Sequence, residues 1–207
     1  MKKNLMFVAA ALMLLASCSP KKTTVEGLSA PNGLLNIHVT VSGKADTVVA
    51  VKGGRFEVEV PVDVTTVSRV KAGMSSFNFI SDGSKLTVNL EDGTVVSSKK
   101  NGVHSRYVEY CKWMKDFQNA FYAEYDKMEK GSEEAENYFK TNREKYNDYI
   151  RGVIKDNKDN ILGWIAVRDM GLDDEKEMLS LIKTLSSKIQ ALPEVVKEKQ
   201  AIEKLVQ

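Results

Sequence analysis

Cysteine and histidine are scarce in this chain, and their scarcity excludes several kinds of site. The cysteines are Cys18 and Cys111, and the histidines are His38 and His104. Neither histidine has a second histidine or an acidic residue at the spacing that zinc sites use, so the sequence predicts no zinc site and no histidine acid–base role. The cysteines do not form a Cys-x-x-Cys motif, which excludes a dithiol redox site.

An excess of charge of one sign is also missing. The chain has 30 basic and 28 acidic residues, and its formal charge of +2 equals the contribution of Lys2 and Lys3. Binding to a nucleic-acid backbone draws on a clear basic excess or a basic stripe, whereas here both signs are mixed along every segment. The sequence therefore predicts no nucleic-acid partner.

Signature motifs of catalysis and cofactor binding are missing as well. The chain contains no Gly-x-Ser-x-Gly, no Gly-x-Gly-x-x-Gly and no phosphate loop. Asp156 and Asn160 have the spacing of calcium ligands, but Lys158 and Ile161 stand where a calcium loop needs an oxygen ligand and a glycine. We therefore expect no catalytic residue, no metal ligand and no cofactor, and the chain is predicted not to be an enzyme.

A group of acidic residues is interpreted as the first turn of a helix in preference to a metal site, because acids there offset the helix macrodipole. Its members are Asp173, Asp174, Glu175 and Glu177.

The N-terminus carries a targeting signal. Lys2 and Lys3 precede an apolar run of about eleven residues from Leu5 to Leu15, and a bilayer-spanning helix needs roughly 20. This pattern is typical of a secretory signal peptide, here over residues 1–17. Leu15-Ala16-Ser17-Cys18 resembles the lipobox of bacterial lipoproteins, whereas the alternative is an ordinary cleavage site beside a chance cysteine.

The lipobox resemblance implies a place for the mature protein. Cys18 would be the lipidated first residue, diacylated or triacylated, and would attach the chain to a membrane of the cell envelope. Ser19 is not the acidic residue of inner-membrane retention, so the resemblance implies the outer membrane, facing the periplasm. Cys111 would then have no partner for a disulfide.

The body of the chain is predicted to be α+β, with an N-terminal antiparallel β-sandwich or partly open barrel and a C-terminal helical domain. Residues 18–30 are polar and lack periodicity, which indicates a flexible lipidated tether. Residues 31–99 alternate apolar and polar side chains, as half-buried strands do. Lys52-Gly53-Gly54-Arg55 predicts a tight hairpin. The predicted strands are residues 37–41, 46–51, 56–60, 65–71, 77–80, 85–90 and 94–98.

Residues 103–207 change to a period of three to four and are predicted to be helical. Gly131 ends the first long helix, Ser132 caps the second, a shorter one covers residues 161–170, another begins after Asp173, and Pro193 opens the last.

A row of aromatic residues in the first two helices offers apolar faces and hydroxyl donors, which suits either a ligand groove or core packing, and core packing is the preferred interpretation. Its members are Tyr107, Tyr110, Trp113, Phe117, Phe121, Tyr122, Tyr125, Tyr138 and Phe139. Cys111 falls within this stripe and is predicted to be an inert buried thiol.

Three segments of the β region carry a family resemblance: Gly43-Lys44-Ala45-Asp46-Thr47-Val48, Gly53-Gly54-Arg55-Phe56-Glu57-Val58 and Phe79-Ile80-Ser81-Asp82-Gly83. They resemble a small β domain of unknown function that opens many Gram-negative lipoproteins. Residues 159–163 and 192–195 are similar to the helical segment that follows this domain, ahead of a thioredoxin-like domain.

In the family, oxidoreductase activity belongs to a Trp-Cys-x-x-Cys motif in that later domain, and this chain ends at Gln207 before any such motif. Because the chain combines a folded body and a predicted anchor with no convergent catalytic set, we expect a non-catalytic binding or scaffold lipoprotein. The alternative is an accessory subunit or remnant of a thioredoxin-like thiol-disulfide oxidoreductase system, with such an oxidoreductase as its envelope partner.

Overall fold

The structure is a computed structural model that describes residues 21–28, 36–41, 46–170 and 175–205. The predicted signal peptide and Cys18 lie outside these residues, as do Asp173 and Asp174. Among the described helices, none combines the length and the apolar character that crossing a membrane requires.

The N-terminal half consists of two four-stranded sheets that are not closed into a barrel. The first sheet has the order β4-β1-β7-β8 and the second the order β3-β2-β5-β6. The strands are β1 (Lys22–Leu28), β2 (Asn36–Thr40), β3 (Thr47–Ala50), β4 (Phe56–Pro61), β5 (Asp63–Ala72), β6 (Ser75–Ser81), β7 (Lys85–Asn89) and β8 (Val95–Ser97). The predicted α+β class is therefore confirmed, with the sandwich as the form that the β region takes.

Alternating side chains of both sheets fill the sandwich. Val25 from the first sheet and Ile37 and Val39 from the second are fully buried in one apolar cluster, which also contains Phe56 and Phe79. Because successive strand residues face opposite sides, this is the burial that the period of two predicts.

The prediction of a flexible tether over residues 18–30 is wrong for residues 22–28, which form β1. β1 lies inside the first sheet, antiparallel to β4 on one side and parallel to β7 on the other. Its inward residues are Thr23, Val25 and Gly27, all buried. Only one of the three is a large apolar residue, so the sequence does not show the alternation of apolar and polar residues that predicts a strand. Gly27 is required here, because a Cβ atom would lie 1.8 Å from the Phe56 ring.

The predicted turn at Lys52–Arg55 forms, but it joins two sheets. The backbones of Lys52 and Arg55 exchange hydrogen bonds of 2.8 and 3.1 Å, and Gly53 and Gly54 have φ of 56° and 73°. However, β3 pairs with β2 and β4 pairs with β1. Turn residues determine the local chain reversal, whereas the neighbours of each strand depend on β1, which the sequence did not reveal.

The C-terminal half is helical, as predicted. Its helices are α1 (Val103–Tyr125), α2 (Glu133–Asp156), α3 (Ile161–Asp169), α4 (Glu175–Thr184), α5 (Ser187–Gln190) and α6 (Pro193–Leu205). Ser132 caps α2 by accepting a hydrogen bond from the Ala135 backbone N–H, and Gly131 before it has φ 81°. The four-residue α5 was not predicted because it is too short to show a period.

The two halves pack against each other through His104 and its neighbours. Ile80 of β6 is buried in the same apolar cluster as the helices. The His104 backbone N–H donates to the Asp82 carboxylate at 3.1 Å, and the His104 Nδ1 accepts from the Ile80 N–H at 3.2 Å. The start of α1 is therefore fixed to the end of β6.

Candidate functional site

The aromatic residues of α1 and α2 meet along one side of the helical half. The Trp113 and Tyr149 rings stack with centroids 3.6 Å apart, and farther along the pair the Phe121 and Tyr138 rings stack at 5.6 Å. The later residue of α1 contacts the earlier residue of α2 in these two pairs, so the two helices are antiparallel. The stacked rings at the Trp113 end fill the space between the helices.

Toward the other end the helices leave an open space, which we call the aromatic groove. Its volume is about 430 Å³. Its lining residues are Met114, Phe117, Gln118, Phe121, Tyr122, Phe139, Asn142, Arg143, Tyr146, Asn147, Asp169 and Met170. Tyr122 is 54% exposed and Phe139 is 47% exposed. The preferred prediction of core packing is thus wrong for this part of the row, since large apolar rings here face an open groove.

Hydrogen bonds fix the groove at the end of α3. The Tyr110 hydroxyl donates to the Asp169 carboxylate at 2.8 Å, and the Tyr146 hydroxyl donates to the Asp169 backbone carbonyl at 2.6 Å. The side-chain oxygen of Asn147 is buried and has no hydrogen-bond partner among the residues that the structure describes. A buried unpaired acceptor carries a free-energy cost, which a bound molecule would remove only if its donor reached this oxygen.

Three tyrosines of α1 and α2 have raised pKa values. Burial raises the pKa of Tyr110, and its hydrogen bond to the Asp169 carboxylate raises it further. Burial also raises the pKa values of Tyr146 and Tyr149. Their hydroxyls therefore stay protonated at neutral pH, and those of Tyr110 and Tyr146 are already donated to Asp169.

Cys111 differs from its prediction. It was expected to be buried, but it is exposed, because it lies at the border of the helical stripe. Partial desolvation nevertheless raises the pKa of its thiol, and a hydrogen bond with Tyr107 opposes this only in part. The thiolate is thus disfavoured, as the sequence argument held for a thiol among apolar neighbours.

The histidines lie far apart in the fold. His38 is exposed on β2, and its Nδ1 lies 3.6 Å from a carboxylate oxygen of Asp46, a contact that the β2–β3 pairing creates and the sequence analysis missed. His104 is fully buried. Within the described ranges, no three His, Cys, Asp or Glu side chains are grouped as metal ligands would be.

The rejected calcium pattern has a structural role. The Asn160 side chain caps α3 by accepting a hydrogen bond from the Leu162 N–H at 3.1 Å. Glu175 and Glu177 lie in the first turn of α4, as predicted.

Comparisons with known proteins found no match: no family model, no curated protein and no solved structure is similar to this chain. The structure shows an α+β protein with an aromatic groove between α1 and α2, and the lipoprotein resemblance stays a prediction.

Proposed function

We propose that this chain is a non-catalytic binding module of the cell envelope, lipid-anchored at Cys18 to the periplasmic face of the outer membrane. Its ligand is a small apolar or aromatic molecule that lies in the aromatic groove and carries one hydrogen-bond donor. The observation that carries the proposal is the exposure of large aromatic rings around one buried, unpaired amide oxygen.

The size of the groove supports a small molecule. Small-molecule sites have volumes of about 300 to 1,000 Å³, and the groove has about 430 Å³. The rings supply apolar contact area, and stacking against an aromatic ligand adds about 0.5 to 1.5 kcal/mol for each pair. Asn147 supplies the orienting polar contact, because a donor on the ligand would satisfy its buried oxygen.

The proposed anchor lies close to the fold. β1 begins at Lys22, so Lys22 would lie at most about 14 Å from a lipidated Cys18. The start of the sandwich would therefore lie close to the membrane surface.

The groove is tested by fluorescence titration with N-phenyl-1-naphthylamine, using the chain that starts at Ser19 and so keeps every described residue. Phe139→Ser removes one exposed ring from the lining. We expect the Kd to rise about tenfold, which corresponds to about 1.4 kcal/mol.

Val108→Ser is the matched control, because Val108 is 40% exposed on α1 and does not line the groove. It should leave the Kd unchanged. Equal effects of the two substitutions, or no saturable binding by the unaltered chain, would contradict the proposed site.

The anchor is tested separately by cell fractionation. Cys18→Ala should move the protein from the membrane fraction to the soluble fraction, because a thioether-linked lipid cannot form on alanine. Retention of the Cys18→Ala protein in the membrane fraction would refute the anchor.

A further inference from the structure

A second concave surface lies where the β-sandwich meets the helices. We call it the arginine cleft. Its volume is about 600 Å³, and its lining includes Arg69 and Asn78 from the sheet, Tyr107 and Arg168 from the helices, and the apolar Val67 and Ile165. Residues from both halves of the molecule thus contribute to one cavity.

The positive charge in the cleft is not balanced by a neighbouring acid. Among the described residues, Arg69 and Arg168 form no ion pair, and the Arg69 Nε–H donates only to the Asn78 side-chain oxygen at 3.3 Å. None of the lining residues is acidic. Two guanidinium groups that share a cavity repel each other, and a bound anion would remove that repulsion.

Two acids close to lining residues make other contacts. Asp46 accepts a hydrogen bond from the Thr40 hydroxyl and lies beside His38. Asp169, next to Arg168 in sequence, accepts a hydrogen bond from Tyr110. Among the described residues, neither acid forms an ion pair with Arg69 or Arg168.

The other polar groups in the cleft are already hydrogen-bonded. Asn78 accepts from Arg69 with its oxygen and also hydrogen-bonds with the Tyr107 side chain. Burial raises the pKa of Tyr107 to about 12, so its hydroxyl keeps its proton, which it shares with Cys111. The two arginines are therefore the groups that an anion would meet, and planar guanidinium groups bind carboxylate and phosphate oxygens with two parallel hydrogen bonds.

We propose that the arginine cleft binds the anionic group, a carboxylate or a phosphate, of a small molecule. Val67 and Ile165 contact the hydrocarbon part that carries this group. The site is separate from the aromatic groove and does not depend on the function proposed for that groove.

The test is isothermal titration calorimetry on the full chain in a non-ionic detergent, with inorganic phosphate and with succinate, at constant ionic strength. We expect saturable binding of at least one anion at millimolar concentration or below. Arg168→Gln and Arg69→Gln should each weaken it at least tenfold. Binding of phosphate alone would identify a phosphate ligand, and binding of succinate alone would identify a carboxylate ligand.

Arg55→Gln is the matched control, because Arg55 is an exposed arginine that does not line the cleft. It should leave the affinity unchanged. Absence of saturable binding for both anions, or equal affinity in the unaltered chain and in both cleft variants, would overturn the proposal.

Discussion

At the scale of single residues, His104 shows how one buried side chain can link two halves of a molecule. It is fully buried, and its Nδ1 accepts a hydrogen bond from the Ile80 N–H, so the neutral ring carries its proton on Nε2. Burial lowers the pKa of His104, and the nearby Asp82 carboxylate opposes this only in part. Protonation would place an extra charge in the core and remove the acceptor for Ile80.

His104 should make the stability of the protein depend on pH. Because its pKa is lower in the folded state, its contribution is fully present above the unfolded value of about 6.5 and is lost as the pH falls through the folded value. We expect the free energy of unfolding, from urea denaturation, to decrease from pH 7 to pH 5 and His104→Gln to flatten that decrease. His38→Gln, at an exposed position, is the control, and an unchanged slope in His104→Gln would contradict this role.

Cys111 should support no disulfide reduction. The reaction needs an attacking thiolate and a second thiol that releases the substrate, and the raised pKa of Cys111 leaves little thiolate at neutral pH. We expect no insulin reduction by the chain that starts at Ser19. Turnover that disappears in Cys111→Ser would disprove this expectation.

Single-residue environments were only partly predictable from the sequence. The aromatic row lies on the two helices that line the groove, but a helical period cannot tell whether a ring faces a neighbour or an open groove. The sequence gave no indication that Asn147 and Met170 line the groove, because this depends on how α2 packs against the end of α3. The exposure of Cys111 depends on the rotation of α1 about its axis. The sequence pattern did not determine whether Cys111 or a neighbouring residue of α1 faces the core.

At the scale of elements, two glycines should respond to alanine substitution with opposite changes in stability. One lies in the turn between α1 and α2, and the other lies within α2. Gly131 has φ 81°, a conformation that costs other residues roughly 1 to 2 kcal/mol, and no atom would crowd an added Cβ there. Gly152 is exposed in α2 and also has open space around an added Cβ, and alanine is favoured over glycine in a helix by about 1 kcal/mol.

Gly131→Ala should therefore lower the free energy of unfolding by about 1 kcal/mol, and Gly152→Ala should raise it by up to about 1 kcal/mol. Chemical denaturation of both variants measures the difference. Changes of the same sign would show that the backbone at one of these glycines differs from the structure.

The elements themselves were largely predictable, because strands and helices of this length leave clear periods in the sequence. β1 was missed because its inward side chains include a threonine and a glycine. Without β1, the sequence could not show that β3 and β4 belong to different sheets, although the glycine pair between them predicted the turn correctly.

At the scale of the whole molecule, the arginine cleft lies between the sandwich and the helices, and the aromatic groove lies on the helices alone. The alternative function, as an accessory to a thioredoxin-like oxidoreductase, stays a prediction from the resemblance. Recovery of such an oxidoreductase with the tagged protein from solubilised envelope would support it.

The central claim, that the aromatic groove is a binding site, is tested most directly by NMR of the methionine methyl groups. Met114 and Met170 line the groove, whereas Met74 lies fully exposed in the turn between β5 and β6. During titration with N-phenyl-1-naphthylamine, we expect saturable shifts of the Met114 and Met170 signals and an unchanged Met74 signal. Saturable binding that leaves Met114 and Met170 unshifted would place the ligand elsewhere and contradict the claim.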